Sequence, residues 1–134
     1  MNPGPGEADL DTLLAGLAPL LRSPEYVFCS VPLSAAVDVA TSALATFREE
    51  EGMTLVLERT AADDAGLDYG PTMRCITLQV HSSLEAVGLT AAVSSALAQA
   101  GISANVIAAY YHDHVFVPAS RADDAMRVLN SLPR

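Results

Sequence analysis

Apolar residues recur at helical spacing in three parts of the chain, and each part predicts an amphipathic helix. Asp9 is available to cap the first helix, and Pro19 is expected to disturb its last turn. Gly101 is expected to end the second helix. Ser120 is expected to cap the third, with Asp123 in the capping-box position that usually holds Glu. The three stripes are Leu10, Leu13, Leu14, Leu17 and Leu21; Leu89, Ala92, Val93, Ala96, Leu97 and Ala100; and Ala122, Ala125, Met126, Leu129 and Leu132.

Short runs rich in β-forming residues predict the strands. These runs are residues 26–31, the two arms of residues 45–58 on either side of Gly52, and residues 74–80, 105–111 and 114–117. In residues 74–80 the side chains alternate, so that Ile76 and Leu78 lie on one face and Cys75 and Thr77 on the other. Residues 61–67 predict at most two turns of helix, and the Ala-rich segment 33–44 favours neither helix nor loop.

The order of these elements predicts an α+β protein with antiparallel sheets covered by helices. The second half has the order β-α-β-β-α, which is the ferredoxin-like βαββαβ unit without its last strand. The first half has the order α-β-β-β-α, without an opening strand. We therefore expect a disordered lead-in at residues 1–8 and two units, at residues 9–68 and 69–134. Because unpaired sheet edges are a liability, the incomplete strand sets predict pairing of the halves with each other or with another copy, and hence a homodimer or larger even assembly.

The charge balance limits the classes of partner that the protein is expected to bind. The chain of 134 residues has sixteen acidic residues, seven arginines and no lysine, which gives a net charge of -9. This charge argues against nucleic acids and anionic membranes, since both bind basic surfaces. The acidic, Gly- and Pro-rich start differs from a basic signal peptide and predicts a cytoplasmic protein. Cys29 and Cys75 lie in strand-like apolar runs and are predicted to be buried free thiols.

The sequence HDH, at His112, Asp113 and His114, is the most conspicuous candidate for chemistry. We expect it at the turn of a hairpin, where the two imidazoles diverge and His81 alone remains to complete a cluster. A polar turn is therefore the favoured interpretation. The alternatives are a three-histidine metal site and a ligand-contacting or interface role for one histidine. Beyond the adjacent His81, no histidine lies near the serines that precede Glu85 in sequence, so a nucleophilic enzyme is poorly supported. The sequence therefore predicts neither an enzyme nor a cofactor.

A candidate binding site follows the strand at residues 74–80. The linker from Val80 to Gly88 opens a helix whose first residue is a glycine. Free N–H groups at a helix start favour an anion, and glycine lets a ligand approach the backbone. With Asn105 at the start of the next strand, these groups could hold an amino acid. The alternative is that Gly88 is a packing glycine and Asn105 a turn residue. The acidic run at residues 49–51 could hold a cation or an amine, or form a solvated turn.

Several motifs resemble those of ACT-domain proteins. They are YVFCSV, FREEEGMTLVLE, the long block from ITLQVHSSLEAVGLT to YYHDHVFVP, and DDAMRVLNSL. Over most of residues 9–132 the chain is similar to small bacterial proteins with two ACT-like units, distant relatives of the animal cytosolic arginine sensors. The resemblance implies a ferredoxin-like fold, side-by-side pairing, and an amino-acid effector at the pairing interface. The residues it implies for ligand binding are Ser82, Ser83, Leu84, Glu85, Val87, Gly88, Leu89, Thr90 and Asn105.

The leading hypothesis is a stand-alone regulatory protein that binds an amino acid and has no reaction of its own. It would act as a homo-oligomer on an unidentified partner protein. The second hypothesis is a structural or protein-interaction ACT module that binds no ligand. A third, a small metal-dependent enzyme, would use His81, His112, His114 and a carboxylate. The first two hypotheses share every sequence feature, and only ligand binding distinguishes them.

Overall fold

The computed structural model describes residues 9–35, 37–80 and 87–132, so the predicted lead-in at residues 1–8 lies outside the described residues. Two short 3₁₀ turns, Leu33–Ala35 and Ala119–Arg121, accompany the regular elements. The helices and strands are α1 Leu10–Ala15, β1 Pro19–Val31, α2 Val37–Ala40, β2 Ala45–Arg48, β3 Met53–Glu58, α3 Arg59–Asp64, β4 Met73–Leu78, α4 Leu89–Gln99, β5 Asn105–Ala108, β6 Asp113–Pro118 and α5 Ala122–Asn130. No helix within the described ranges is long and apolar enough to cross a membrane.

The chain forms two compact units. We call Ser23–Met73 the internal unit, and the described residues up to Arg22 together with those from Arg74 onward the split unit. Leu13 of α1 and the nearby Leu17 lie in one core cluster with Ile76 and Val93. Helix α1 therefore packs with elements of the second half of the sequence, although it was predicted in the first half. The sequence boundary at residue 68 stays a prediction.

The split unit contains a sheet with the strand order β1-β4-β6-β5. Its edge strand is the first part of β1, which supplies the strand that the order β-α-β-β-α lacked. The Gln79 N–H donates to the Ala18 carbonyl at 3.0 Å, and the Arg74 guanidinium donates to the Arg22 carbonyl at 2.7 Å. The predicted extension of the first helix to Leu21 is wrong. Helix α1 ends at Ala15 and Pro19 begins β1, because proline is tolerated at the first position of a strand but not within a helix.

The helix-covered face of this sheet packs against α4 and α5, whose predicted stripes are confirmed: Leu89, Val93, Leu97, Ala122, Ala125 and Leu129 are buried. Gly101 ends α4 as predicted, with φ 72° and an Ile102 N–H bond to the Leu97 carbonyl at 2.9 Å. The predicted Ser120 cap is wrong. Ser120 lies inside the 3₁₀ turn, and Arg121, whose guanidinium bonds Asp124, stands before α5 instead.

The internal unit contains β2, β3 and β1 in that order, all antiparallel. The hairpin predicted at residues 45–58 is confirmed, and α3 covers the sheet together with the segment 33–44, which forms a 3₁₀ turn and α2. The unit therefore has the order β-α-β-β-α, and the prediction that its opening strand was missing is wrong. Val27, Cys29, Val31, Leu55, Leu57 and Ala62 form its core. Cys29 and Cys75 are buried free thiols, as predicted, and burial raises the pKa of each.

Gly52 at the β2–β3 turn provides a test of this hairpin. Its φ is 153°, and a Cβ there would lie 2.6 Å from the Val31 carbonyl oxygen. We expect Gly52→Ala to lower the free energy of unfolding by about 2 kcal/mol, because backbone strain and a backbone clash combine. Urea unfolding measures the change. Gly70→Ala is the matched control, since a Cβ at Gly70 would meet nothing within 4 Å. Equal stability of the two variants would contradict the hairpin geometry.

Candidate functional site

The hairpin between β5 and β6 differs from its prediction. Its turn is formed by residues 109–112, closed by a bond from the Ala109 N–H to the His112 carbonyl at 3.0 Å. Tyr110 and Tyr111 occupy the tip with their rings 5.0 Å apart. The expected turn at His112 and Asp113 is therefore wrong, because two exposed aromatic residues make the turn and Asp113 already belongs to β6.

Asp113 is a buried carboxylate on the helix-covered face of the sheet. Side chains two residues apart on a strand share a face, and Val115 and Val117 of β6 belong to the core under α4 and α5. Asp113 is 8% exposed and has no hydrogen-bond or ion-pair partner for its side chain among the described residues. Burial raises the pKa of the Asp113 carboxyl, and the nearby His112 opposes that rise.

Asp113 lies at the end of the split unit where α4 begins. Strand β6 is the neighbour of β4 in the sheet, and the His112 Nδ1 is 3.5 Å from the Val80 carbonyl oxygen, just beyond the end of β4. Helix α4 starts nine residues after Val80, and its first residue, Leu89, shares the core with Val115. The buried carboxylate and the positive amino end of an eleven-residue helix therefore occupy the same end of the unit.

Gly88 is the N-cap residue of α4, with φ 102°, and as a glycine it has no side chain to cap the helix. A Cβ on Gly88 would lie 3.0 Å from a terminal methyl of Leu10, so α1 packs against this glycine. Gly88 is therefore a packing glycine, which was the alternative interpretation. A valine at this position would strain the backbone and displace Leu10. Leu89 is buried, whereas Thr90 is exposed and Val87 is 82% exposed. Ser82, Ser83, Leu84 and Glu85 lie outside the described residues.

The fold does not place Asn105 near the start of α4 of the same chain. It begins β5, which follows the carboxyl end of α4, and an eleven-residue helix is roughly 16 Å long. Asn105 is also paired with Phe116 across the sheet, whereas Val115 lies on the helix-covered face. Because a helix that links two strands runs back along the sheet, the next strand starts at the opposite end from the helix start. Asn105 therefore does not join Gly88 in one unit.

Asp113 was missed because β6 was predicted to start one residue later. The sequence does carry a signal for it, since Asp113, Val115 and Val117 alternate with the side chains of the other face. An acidic residue in phase with two buried valines indicates a buried carboxylate.

Two other predicted features are not part of this arrangement. Glu49, Glu50 and Glu51 are exposed on the β2–β3 turn, where the Glu49 carboxylate accepts a bond from the Thr54 hydroxyl. Within residues 9–35, 37–80 and 87–132 no three His, Cys, Asp or Glu side chains are grouped to hold a metal ion. His81 lies outside those ranges, so the prediction that HDH is not part of a metal site stays a prediction.

Comparison with known proteins places this geometry in a family. Models of the ACT domain match residues 5–74 and residues 72–131. A structure of a protein of unknown function, possible transport protein, from Vibrio cholerae is 50% identical, covers 90% of this chain and 93% of its own, and has a TM-score of 0.80. No curated protein matches the sequence.

More distant structures share the fold. A protein from Agrobacterium tumefaciens is 18% identical over 85% of this chain and 87% of its own, with a TM-score of 0.69. The ligand-free regulatory subunit of aspartate kinase from Thermus thermophilus is 12% identical over 87% of this chain and 96% of its own, with a TM-score of 0.66. At these identities the likeness extends to the fold alone. The two family matches together span most of the chain, and the protein belongs to the ACT-domain family, with two ACT domains of ferredoxin-like α+β fold.

Proposed function

We propose that this protein is a cytoplasmic regulatory protein that binds a free amino acid and has no reaction of its own. The ligand lies where Asp113 meets the amino end of α4. The Asp113 carboxylate receives its ammonium group, and the first N–H groups of α4 receive its carboxylate. The observation that carries the proposal is that Asp113 is 8% exposed and that its carboxylate has no partner among the described residues.

The physical reason is charge compensation. A buried carboxylate without a counter-charge is costly, whereas an ammonium group at hydrogen-bond distance offsets its desolvation. The N–H groups at the start of α4 have no intrahelical acceptors, and the helix dipole favours a negative group there. Opposite charges at one end of the unit complement the two charged groups that every free amino acid carries.

Other predicted features join this proposal. The loop residues Ser82 to Glu85, with Val87 and Thr90, are proposed to form the rim of the site. Asn105 would contribute from a second copy of the chain in a homodimer. ACT domains are regulatory modules, and the fold shared with a regulatory subunit of aspartate kinase supports such a role. The regulated partner is proposed to be another protein. A distant relationship to the animal arginine sensors is part of this proposal and makes arginine the first amino acid to test.

Isothermal titration with the twenty amino acids, arginine first, tests the proposal. The best ligand is then compared with its N-acetyl and carboxamide derivatives, which remove the ammonium charge and the carboxylate charge separately. We expect one site per chain and at least a 30-fold weaker affinity for each derivative, since each leaves one charged partner uncompensated. At 100 times its dissociation constant the ligand should raise the free energy of unfolding by about 2.7 kcal/mol.

Two outcomes would contradict the proposal. An N-acetyl derivative that binds as well as the free amino acid would show that Asp113 does not receive the ammonium group. The absence of binding by all twenty amino acids would favour a structural or protein-interaction module that binds no ligand.

A further inference from the structure

A second polar cluster lies on the other face of the split unit's sheet. The Arg22 guanidinium donates to the Thr77 hydroxyl at 3.5 Å, and the same hydroxyl is 3.0 Å from the His114 Nδ1. Ile76, Leu78 and Val115 face the helices. Thr77 alternates with Ile76 and Leu78, and His114 alternates with Val115, so Thr77 and His114 point to the other face. Arg22, Thr77 and His114 therefore form a row across β1, β4 and β6 on the face opposite α4 and α5. We call it the Arg22 row.

Among the described arginines, Arg22, Arg48 and Arg74 form no ion pair with a described carboxylate. Arg59, Arg121 and Arg127 each form an ion pair with a carboxylate. Arg22 has none among the described residues, although it is half-buried and the chain contains sixteen acidic residues. Within the described part of the chain, its guanidinium donates one hydrogen bond, to Thr77, which is long and uses one of five N–H donors. A half-buried guanidinium without a carboxylate has donors available for a ligand.

Among the described residues, Cys75 and Arg74 lie near Arg22 and neither supplies a negative charge. Cys75 is close enough for Arg22 to affect its thiol, but burial is the larger influence and raises the pKa of Cys75, so the thiol stays neutral. The guanidinium of Arg74 donates through Nε and Nη2 to the Arg22 carbonyl, at 3.0 and 2.7 Å. Arg74 therefore adds positive charge beside Arg22, while the Nε and Nη2 groups of Arg74 are already hydrogen-bonded.

His114 adds a neutral donor to the row. Burial lowers the pKa of His114, and the positive charges of Arg22 and His112 lower it further, so the ring is neutral at pH 7. The Thr77 hydroxyl accepts from Arg22 and has its own proton left to donate to the His114 Nδ1. The ring proton then lies on Nε2, which becomes a donor.

We propose that the Arg22 row is a binding site for the carboxylate group of a small molecule, separate from the Asp113 site on the other face of the sheet. The Arg22 guanidinium and the His114 Nε2–H offer donors only, which complements an acceptor-only group. A guanidinium binds a carboxylate through two parallel bonds. One full positive charge with available donors matches a monoanion better than a phosphate dianion.

Acetate is the probe, and the His114 imidazole signals in NMR spectra are the readout, assigned with His114→Asn. We expect saturating acetate to raise the pKa of His114, because a negative charge beside the ring favours the imidazolium form. Equimolar chloride and neutral acetamide should leave that pKa unchanged. Arg22→Gln should weaken acetate binding at least tenfold and raise the pKa of His114 without acetate.

Arg48→Gln is the matched control, since Arg48 is exposed on β2 and should leave the acetate response unchanged. If Arg22→Gln fails to fold, Arg22→Lys keeps the charge but loses the two parallel bonds, and should also weaken acetate binding. A response to chloride as large as that to acetate, or tighter binding of inorganic phosphate, would overturn the proposal. So would an acetate response that survives both Arg22 variants.

Discussion

Replacement of Asp113 by Asn is expected to weaken amino-acid binding by about 30- to 5000-fold while making the ligand-free protein more stable. The loss corresponds to the 2–5 kcal/mol that a buried charge pair loses when one partner is removed. The gain in stability, about 1 kcal/mol at pH 7, arises because Asn removes a buried negative charge that has no partner among the described residues. Titration calorimetry measures the first effect and urea unfolding the second.

The pH dependence of this gain follows from the direction of the Asp113 pKa. Burial raises that pKa above 3.8, so the folded protein holds the proton more tightly than the unfolded chain. The contribution of Asp113 to stability is therefore most favourable at low pH and is lost as the pH rises through the folded pKa. The stability difference between Asp113→Asn and the wild type should be largest at neutral pH and shrink as the pH falls towards 4.

Asp68→Asn is the matched control for both measurements. It makes the same chemical change at an exposed aspartate of the internal unit, and we expect a stability change within about 0.5 kcal/mol and unchanged binding. If Asp113→Asn lowers the stability instead, the carboxylate has a compensating partner in the ligand-free protein. If it leaves amino-acid affinity unchanged, the ammonium group binds elsewhere.

Leu13→Ala is expected to lower the free energy of unfolding by about 3–4 kcal/mol, within the range measured for fully buried leucines. Leu13 is 0% exposed and packs in the core of the split unit with Leu17, Ile76 and Val93. A helix of six residues is not stable alone, so α1 depends on this packing. Loss of Leu13 should therefore also detach α1, which hydrogen exchange of its amide groups would detect.

Val87→Ala controls for the loss of side-chain volume at a position 82% exposed, and should change stability by less than about 0.5 kcal/mol. A cost for Leu13→Ala as small as that of Val87→Ala would show that α1 does not belong to the core of the split unit. Protection of the α1 amide groups in that variant would contradict the packing in the same way.

Local sequence patterns determined the elements whose stability comes from one repeating face. The stripes of α4 and α5, the glycine that ends α4, and the hairpin around Gly52 all follow from the spacing of neighbouring residues. The chain order of the second half and the family motifs likewise indicated the α+β ferredoxin-like fold. These features depend on contacts within a few residues, where periodicity and turn chemistry are informative.

Tertiary structure decided the features that depend on residues distant in sequence. Helix α1 stops at Ala15 because Pro19–Arg22 pair beside β4, more than fifty residues later in the chain. The candidate site changed for the same reason: the return path of α4 takes Asn105 to its far end, and the β5–β6 hairpin brings Asp113 back to its start. Periodicity specifies which face of a strand is buried, but the neighbours of that strand in the sheet are fixed by long-range pairing, and these neighbours decide which charged groups meet.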